Sequence, residues 1–207
     1  MDRARLMRFV LEMRQAGVTD ARALSALERT HRADFAPTHL EGLAMEDVQL
    51  PLAHGQTMTK PSIVGRMAAA LAAQANDTVL EIGTGSGYQS AVLADMAHTV
   101  VTLERWSDLV IEARGRFGRA RLMRVFAHVA DGRLGWPEDG PYDRIIFNAS
   151  LDEPPDAVFD QLKPGGVLLA PLNVGEGQLL MRFRNGQRED LGAIRFQALE
   201  AGLPEAP

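Results

Sequence analysis

The stretch Val79-Leu-Glu-Ile-Gly-Thr-Gly-Ser-Gly-Tyr88 decides the fold of this 207-residue chain. The run Thr78–Ile82 is short and apolar apart from Glu81, and it predicts a buried strand. Three glycines that alternate with small residues follow it, and they predict a tight turn at which the backbone can approach a ligand closely. The residues from Tyr88 to Met96 predict a helix. Strand, turn and helix in this order are typical of an open α/β sheet.

The same order repeats along the rest of the chain. Further strands are predicted at Thr99–Leu103, Val125–Val129, Arg144–Phe147 and Val167–Pro171. Two final strands, Gln178–Phe183 and Ala193–Leu199, would be joined through the Asn185-Gly186 turn signal. Upstream, apolar residues at helical spacing predict an N-terminal helical extension, with Thr19 or Asp20 as the cap of its second helix and a third helix from about Ser62 to Gln74. Ser107 is predicted to cap the helix that follows Thr99–Leu103. The predicted fold is therefore α/β, with a doubly wound, Rossmann-like, mostly parallel sheet and an antiparallel C-terminal addition.

Composition excludes several classes of protein. The net charge of −5 gives the whole chain no electrostatic match to nucleic acid. Cysteine is absent, which excludes disulfides and thiolate metal sites and fits a reducing compartment. The five histidines show no metal-ligand spacing, so no metal is predicted. Charged residues interrupt the N-terminus, and no window has the length to cross a bilayer. We expect a cytoplasmic protein without membrane or nucleic-acid partners.

The glycine pattern distinguishes between ligands. A dinucleotide fingerprint requires Gly-x-Gly-x-x-Gly, and here the sixth position is Tyr88. The pattern is instead an acidic residue, Glu81, followed by Gly83, Gly85 and Gly87. This pattern favours S-adenosylmethionine, which carries no pyrophosphate, over a nicotinamide cofactor. A tight turn without a ligand remains the alternative.

Acidic residues also stand at the ends of the next two strands. Glu104 ends the second strand and could accept hydrogen bonds from both hydroxyls of an adenosine ribose. Asp131 ends the third and could accept from an adenine amino group, while Gly132 would leave room for the ring. The alternatives are a solvated surface glutamate and a turn or helix-cap aspartate.

With these residues in place, the chain resembles the protein-L-isoaspartate O-methyltransferases over nearly its whole length. Four stretches carry the resemblance: Thr30-His-Arg-Ala-Asp-Phe-Ala-Pro37, Leu50-Pro-Leu-Ala-His-Gly-Gln-Thr-Met-Thr59, Val79–Tyr88 and Ala130-Asp-Gly-Arg-Leu-Gly-Trp-Pro137. The Gly-Gln-Thr and Asp-Gly-x-Leu-Gly-Trp pieces are the most specific. Leu162-Lys-Pro-Gly-Gly166 is shared by many class I methyltransferases.

The resemblance implies an S-adenosylmethionine-dependent carboxyl O-methyltransferase that repairs isoaspartyl residues in damaged proteins and peptides. It implies one class I methyltransferase domain over 1–207, with a helical and substrate-side extension over 1–75 and a cofactor-binding core over 76–200. Thr59 takes the position of the active-site hydroxyl, which would orient the substrate carboxylate. That carboxylate is already ionised at neutral pH, so no strong base is needed. The predicted cofactor residues are Glu81, Gly83, Thr84, Gly85, Ser86, Gly87, Glu104, Arg105, Asp131, Gly132 and Asn148. The predicted substrate residues are Gln56, Thr57, Thr59, Lys60, Ala149 and Ser150.

Two segments depart from the family's usual pattern. Asn148-Ala-Ser-Leu-Asp-Glu-Pro-Pro155 replaces a run of small residues, and it predicts negative charge at Asp152 and Glu153 near the substrate carboxylate, which would repel it. Ile194-Arg-Phe-Gln-Ala-Leu-Glu200 also differs from the family's ending. These departures leave open a related methyltransferase with another carboxylate or hydroxyl substrate. A non-catalytic, cofactor-binding relative that acts through a protein partner is the third reading, and a dehydrogenase is disfavoured by Tyr88.

Overall fold

The computed structural model describes residues 3–204, so residues 1–2 and 205–207 of the predicted 1–207 domain lie outside the described residues. The helices are α1 (Arg3–Gln15), α2 (Ala21–Arg29), α3 (Pro61–Leu71), α4 (Tyr88–Met96), α5 (Ser107–Arg119) and α6 (Asp156–Phe159). The strands are β1 (Leu50–Pro51), β2 (Thr57–Met58), β3 (Thr78–Ile82), β4 (Thr99–Glu104), β5 (Val125–Val129), β6 (Tyr142–Phe147), β7 (Leu162–Val174), β8 (Gly177–Arg184) and β9 (Gln187–Ala193). None of these helices is long and apolar enough to span a membrane.

Seven strands form one sheet in the order β5-β4-β3-β6-β7-β8-β9. The strands from β5 to β7 are parallel, and β8 and β9 add antiparallel to the end of the sheet. This arrangement confirms the predicted fold class. The chain moves outward from β3 to β4 and β5, and then returns to pair β6 on the other side of β3. The carboxyl ends of β3 and β6 therefore form the switch point at which such sheets bind ligands.

The sheet buries both of its faces. On one face, α1 to α5 share a continuous apolar cluster with strand residues such as Val79, Val100 and Ile146. On the other face, a smaller cluster around Leu80 and Phe147 is covered by α6 and by the loop that carries Trp136. Because the N-terminal helices and the sheet share the larger cluster, residues from the start of the chain can reach the switch point.

Helix boundaries follow local chemistry. Asp20 is the N-cap of α2, and its side chain accepts a hydrogen bond from the backbone N–H of Ala23, as one of the two predicted caps would. Helix α3 ends three residues before the predicted Gln74, because Ala72 adopts a left-handed conformation with φ of 51°. The predicted Ser107 cap of α5 is wrong. Trp106 is the N-cap, and the backbone N–H groups of Arg105 and Trp106 donate to the side chain of Glu104.

The predicted last strand, Ala193–Leu199, is also wrong. The turn signal was correct, but a two-residue hairpin at Asn185-Gly186 requires pairing to resume at once, and Arg184 faces Gln187. Strand β9 therefore occupies Gln187–Ala193 and ends where the prediction placed its beginning. The residues after it are left free to cross the carboxyl ends of β3 and β6.

Candidate methyl-transfer site

Two adjoining cavities open at the carboxyl ends of β3 and β6, and they share Gln56, Gly83, Glu104 and Asn148. We call them the Thr59 cavity and the Arg105 cavity. The rest of the Thr59 cavity is lined by Gln49, Thr57, Met58, Thr59, Val64, Thr84, Gly85, Ser86, Tyr88, Gln89, Phe196 and Gln197. The rest of the Arg105 cavity is lined by Ile82, Leu103, Arg105, Ala130, Gly132, Ala149, Ala198, Leu199 and Glu200. The structure thus brings most of the predicted site residues together.

The glycine-rich turn forms the wall between β3 and α4. Gly83 and Gly85 adopt φ of 100° and 49°, which residues with a side chain rarely do. A Cβ on Gly83 would lie 3.1 Å from the Cβ of Asn148. Gly87 also has a positive φ, of 85°, and it has a further reason to be glycine, because a Cβ there would lie 2.6 Å from the ring of Phe117 in α5. Gly87 therefore serves helix packing, whereas Gly83 and Gly85 line the cavities.

Glu104 is held in one orientation at the junction of the two cavities. Its Oε2 accepts from the backbone N–H of Gly85 at 3.0 Å, and its Oε1 accepts from the N–H of Arg105 at 2.8 Å. Burial raises the pKa of this carboxyl, although the backbone hydrogen bonds oppose that shift. Oε1 also accepts from the N–H of Trp106 at 3.2 Å, so the second lone pair of Oε2 is the one left for a ligand hydroxyl.

Glu81 lies behind the turn and lines neither cavity. It is fully buried, and burial raises its pKa to about 7. Its carboxylate accepts from the hydroxyl of Ser90 and from Nδ2 of Asn148, the latter at 2.8 Å. Asn148 Nδ2 also donates to the carbonyl oxygen of Gly83 at 3.0 Å. Glu81 therefore acts by orienting the side chain of Asn148, a residue that lines both cavities.

Thr59 is positioned by a buried arginine. Arg32 is 1% exposed, and its guanidinium donates to the carbonyl oxygens of Ala44, Glu46, Val48 and Thr59. Burial lowers the pKa of Arg32. Four carbonyl groups that would otherwise need other donors are thereby tied to one side chain. The backbone of Thr59 is fixed in this way at the start of the segment that leads into α3.

An aromatic stack holds the loop that precedes Thr59. The ring of His54 lies parallel to the indole of Trp106, with centroids 3.8 Å apart. Its Nε2 lies 2.6 Å from Oδ2 of Asp108, and that hydrogen bond lowers the pKa of Asp108. His54 therefore joins the loop before β2 to the start of α5.

The C-terminal segment crosses the mouths of both cavities. Gln197 Nε2 donates to the carbonyl oxygen of Gly55 at 2.6 Å, and Arg105 forms an ion pair with Glu200. Further along, the N–H of Gly202 donates to Oδ2 of Asp131 at 2.8 Å. We call residues 196–202 the strap. It closes the side of the cleft that the sheet and the Thr59 segment leave open.

Gly132 lines the Arg105 cavity, and its role beside an adenine ring stays a prediction. Packing gives it a further reason to be glycine, because an added Cβ would lie 2.3 Å from Cγ2 of Ile82 at the end of β3. Asp131 lines neither cavity. Its side chain accepts from the N–H of Arg133, which makes it the cap of the 3-10 turn Gly132–Leu134. The contacts of Asp131 are thus those of the helix-cap aspartate that the sequence analysis gave as its alternative role.

Other predicted residues also lie away from the cavities. Lys60 is paired with Asp47 at 3.7 Å. Ser150 is 2% exposed and anchors the strap, because its N–H donates to the carbonyl oxygen of Gln197 at 2.8 Å and its carbonyl oxygen accepts from the N–H of Leu199 at 2.7 Å. The predicted charge at Asp152 and Glu153 faces neither cavity. Asp152 accepts from the amide of Asn173, and Glu153 pairs with Arg188 at 2.9 Å on the surface.

Sequence reasoning missed several residues of the site, among them Arg32, Gln89, Phe196 and Gln197. Arg32 stands inside the quoted segment Thr30–Pro37, and the signal was a charged residue next to a predicted apolar helix. Gln89 directly follows Tyr88 and was assigned only to the helix. Phe196 and Gln197 had no signal, because they were expected in a strand. Among residues 3–204, no three histidine, aspartate or glutamate side chains are grouped so that they could hold a metal ion.

Comparisons with known proteins agree over nearly the full chain. The family model described as protein-L-isoaspartate(D-aspartate) O-methyltransferase matches residues 4–199. The protein-L-isoaspartate O-methyltransferase of Azorhizobium caulinodans is 48% identical, and the match covers 98% of this chain and 95% of that protein. The enzyme of the same name from Maricaulis maris is 44% identical, with 98% and 97% covered.

Two solved structures share the fold. One is a protein-L-isoaspartate O-methyltransferase with a TM-score of 0.84, 24% identity, and coverage of 96% of this chain and 67% of that chain. The other is a putative enzyme of this kind from Plasmodium falciparum in complex with S-adenosyl-L-homocysteine, with a TM-score of 0.80 and 20% identity. That match covers 93% of this chain and 97% of that chain.

Proposed function

The chain belongs to the protein-L-isoaspartate(D-aspartate) O-methyltransferase family, and we propose that it transfers a methyl group from S-adenosylmethionine to the carboxylate of an isoaspartyl residue. The observation that carries this proposal is the placement of Thr59. Thr59 lines one cavity together with Gly83, Gly85 and Glu104. A hydroxyl from the N-terminal extension and the glycine-rich turn of the sheet therefore face the same space.

The residues of the two cavities fit the cofactor. The Arg105 cavity offers apolar walls at Ile82, Leu103 and Leu199 for an adenine ring. Glu104, fixed by three backbone N–H groups at the junction, would accept from one ribose hydroxyl through the free lone pair of Oε2. The Thr59 cavity offers polar side chains for the amino-acid end. When bound, the cofactor supplies a methyl group on a positively charged sulfur, which an ionised oxygen can attack without further activation.

The protein's part in this reaction is alignment and exclusion of water. Thr59 would donate one hydrogen bond to the substrate carboxylate and leave the other oxygen free to approach the methyl carbon. Arg32 holds the backbone of Thr59, so that its hydroxyl does not have to be ordered by the substrate. The strap covers the cleft and limits access of water to the reacting atoms. No strong base is required, because the attacking carboxylate is already ionised at neutral pH.

The substrate is a protein or peptide that carries isoaspartate. The positions of Asp152 and Glu153 support this proposal, since both side chains are paired outside the cavities and would not repel a substrate carboxylate. We also propose a cytoplasmic location and no nucleic-acid or membrane partner, on the strength of the acidic net charge and the lack of cysteine. The strap residues and Gln56 would contact the substrate backbone.

The test is the chemical nature of the methylated product. The purified protein is incubated with S-adenosylmethionine labelled in its methyl group and with an isoaspartyl peptide, and the product is then treated with mild base. We expect the label to be released as methanol, because a carboxyl methyl ester hydrolyses readily. Label that resists base would show transfer to a hydroxyl or amine. Binding of S-adenosylhomocysteine without transfer would indicate a non-catalytic relative.

A further inference from the structure

Gln89 presents a buried amide without a partner in the wall of the Thr59 cavity. The residue is 5% exposed, and neither Nε2 nor Oε1 has a hydrogen-bond partner among the described residues. Leaving such a group unpaired costs free energy, and in the wall of a cavity the missing partner can be supplied by a bound ligand. Gln89 lines the same cavity as Thr59 and Gly85. The glycine-rich segment that carries the family resemblance ends one residue earlier, at Tyr88.

A second amide atom in the same wall is also free. Asn148 Nδ2 is committed to Glu81 and to the carbonyl oxygen of Gly83, which fixes the orientation of the group. Its Oδ1 is buried and has no partner among the described residues. Asn148 also lines the Thr59 cavity. The wall therefore offers a fixed acceptor at Asn148 and a rotatable amide at Gln89, which can donate through Nε2.

The order of groups in the cofactor determines which of them meets these amides. Glu104, the predicted ribose acceptor, lies at the junction of the two cavities. The adenine would extend from there into the Arg105 cavity, so the amino-acid end extends the other way. That end is a zwitterion, which needs a donor for its carboxylate and an acceptor for its ammonium group. A donor and an acceptor are what Gln89 and Asn148 leave free.

We propose that Gln89 binds the α-carboxylate of the cofactor's methionine moiety through Nε2, while Asn148 Oδ1 accepts from its ammonium group. This inference rests on the proposed function and adds the residue that distinguishes the amino-acid end of the ligand. Gln89 makes no contact with the adenosine portion. The affinity for a ligand that keeps the adenosine and lacks the amino acid should therefore not depend on Gln89.

The experiment is calorimetric binding of two ligands to the wild-type protein and to Gln89→Leu. S-adenosylhomocysteine keeps the amino acid, whereas 5′-methylthioadenosine lacks it. We expect the dissociation constant for S-adenosylhomocysteine to rise by about 10-fold or more in Gln89→Leu, as for a lost hydrogen bond to a charged group. The constant for 5′-methylthioadenosine should change by less than about 2-fold. Because leucine leaves no unpaired polar atom, the midpoint of thermal unfolding should not fall.

A matched control is Gln161→Leu. Gln161 is also buried, but its amide is fully used: Nε2 donates to the carbonyl oxygens of Leu134 and Ala157, and Oε1 accepts from the N–H of Trp136. Its loss should lower the unfolding midpoint and leave the ratio of the two affinities unchanged.

Each outcome separates the inference from the proposed function. Equal weakening of both ligands by Gln89→Leu, or no weakening of either, would overturn the role of Gln89. Unchanged S-adenosylhomocysteine binding with a raised KM for an isoaspartyl peptide would also overturn it, since Gln89 would then contact the substrate. A wild-type protein that binds neither ligand would instead contradict the proposed function itself.

Discussion

Nδ2 of Asn148 lies 2.8 Å from Oε1 of Glu81, so a fully buried carboxylate near the end of β3 orients the side chain that directly follows β6. Strands β3 and β6 are parallel neighbours, and their carboxyl ends form the switch point. Because Glu81 lines neither cavity, it can affect ligand binding only by holding the side chain of Asn148 in place. Burial of a carboxyl group in this position also has a consequence for stability.

The first prediction concerns pH and Glu81. Burial raises its pKa to about 7 from the ordinary value of 4.5, so the folded protein binds a proton that the unfolded chain has lost. This contribution to stability is fully present below pH 4.5 and is lost as the pH rises through 7. The free energy of unfolding should therefore fall by about 2 to 3 kcal/mol between about pH 5 and pH 8 because of this group.

Urea denaturation of the wild type and of Glu81→Gln at several pH values measures this effect. The pKa of Glu104 is raised too, but it is common to both proteins, so the difference between them isolates Glu81. The difference should shrink as the pH falls. Parallel pH profiles for the two proteins would contradict the assignment.

The second prediction concerns Thr59. In Thr59→Val, kcat should fall about 10- to 100-fold, because the substrate carboxylate loses one hydrogen bond that orients it. The affinity for S-adenosylhomocysteine should stay within about 2-fold, since Thr59 does not hold the cofactor. Thr59→Ser keeps the hydroxyl and should retain most of the activity. Steady-state kinetics with calorimetry checks both quantities, and parallel losses of turnover and cofactor affinity would rule out the orienting role.

The third prediction concerns Arg32, which donates to four carbonyl groups from a buried position. Arg32→Met leaves these carbonyls without their donor and should lower the free energy of unfolding by about 3 kcal/mol or more. The matched control is Arg29→Met, because the side chain of Arg29 is 60% exposed and its guanidinium is paired with Asp95 at the surface. That change should cost about 0 to 1 kcal/mol. Urea denaturation measures the free energy of unfolding of both variants. Equal decreases would show that the buried hydrogen bonds of Arg32 stabilise the protein no more than a surface ion pair does.

The fourth prediction concerns two glycines. In Gly132→Ala the new Cβ would meet Ile82 at 2.3 Å, which forces the end of β3 to shift. We expect a loss of about 1 to 3 kcal/mol in stability and weaker binding of S-adenosylhomocysteine. Gly118 lies in α5, and a Cβ added there would have no neighbouring atom within 4 Å, so Gly118→Ala should stabilise by about 0.5 to 1 kcal/mol. Thermal unfolding tests both, and a harmless Gly132→Ala would refute the packing argument.

The sheet could be predicted because its strands are short apolar runs separated by clear turns. Val125–Val129 was predicted with the correct ends, and the glycine-rich turn indicated where the cleft lies in the sheet. Predictions failed where local backbone geometry and hydrogen bonding differ from what the residue pattern indicates. Hairpin pairing moved β9, a left-handed residue ended α3 early, and backbone donors to Glu104 replaced the expected Ser107 cap.

The site was predicted best where one motif contains it. Gly83, Gly85 and Glu104 could be assigned from the order of strands alone, and Thr59 came with the family resemblance. Arg32 and the strap could not be predicted, because their roles depend on contacts with distant segments. Gln89 could not be predicted, because the cavity that it lines is formed by segments far apart in the chain. Arg32 reaches Thr59 across 27 positions, and Gln197 reaches Gly55 across 142.

The most direct test is the ratio of kcat/KM for two peptides that differ only in one residue, isoaspartate or aspartate. Both are incubated with the purified protein and labelled S-adenosylmethionine, and base-labile methyl ester is counted. The proposed function predicts ester on the isoaspartyl peptide and none above background on the aspartyl peptide. Equal methylation of the two peptides, or no ester on either by a protein that binds S-adenosylhomocysteine, would contradict it.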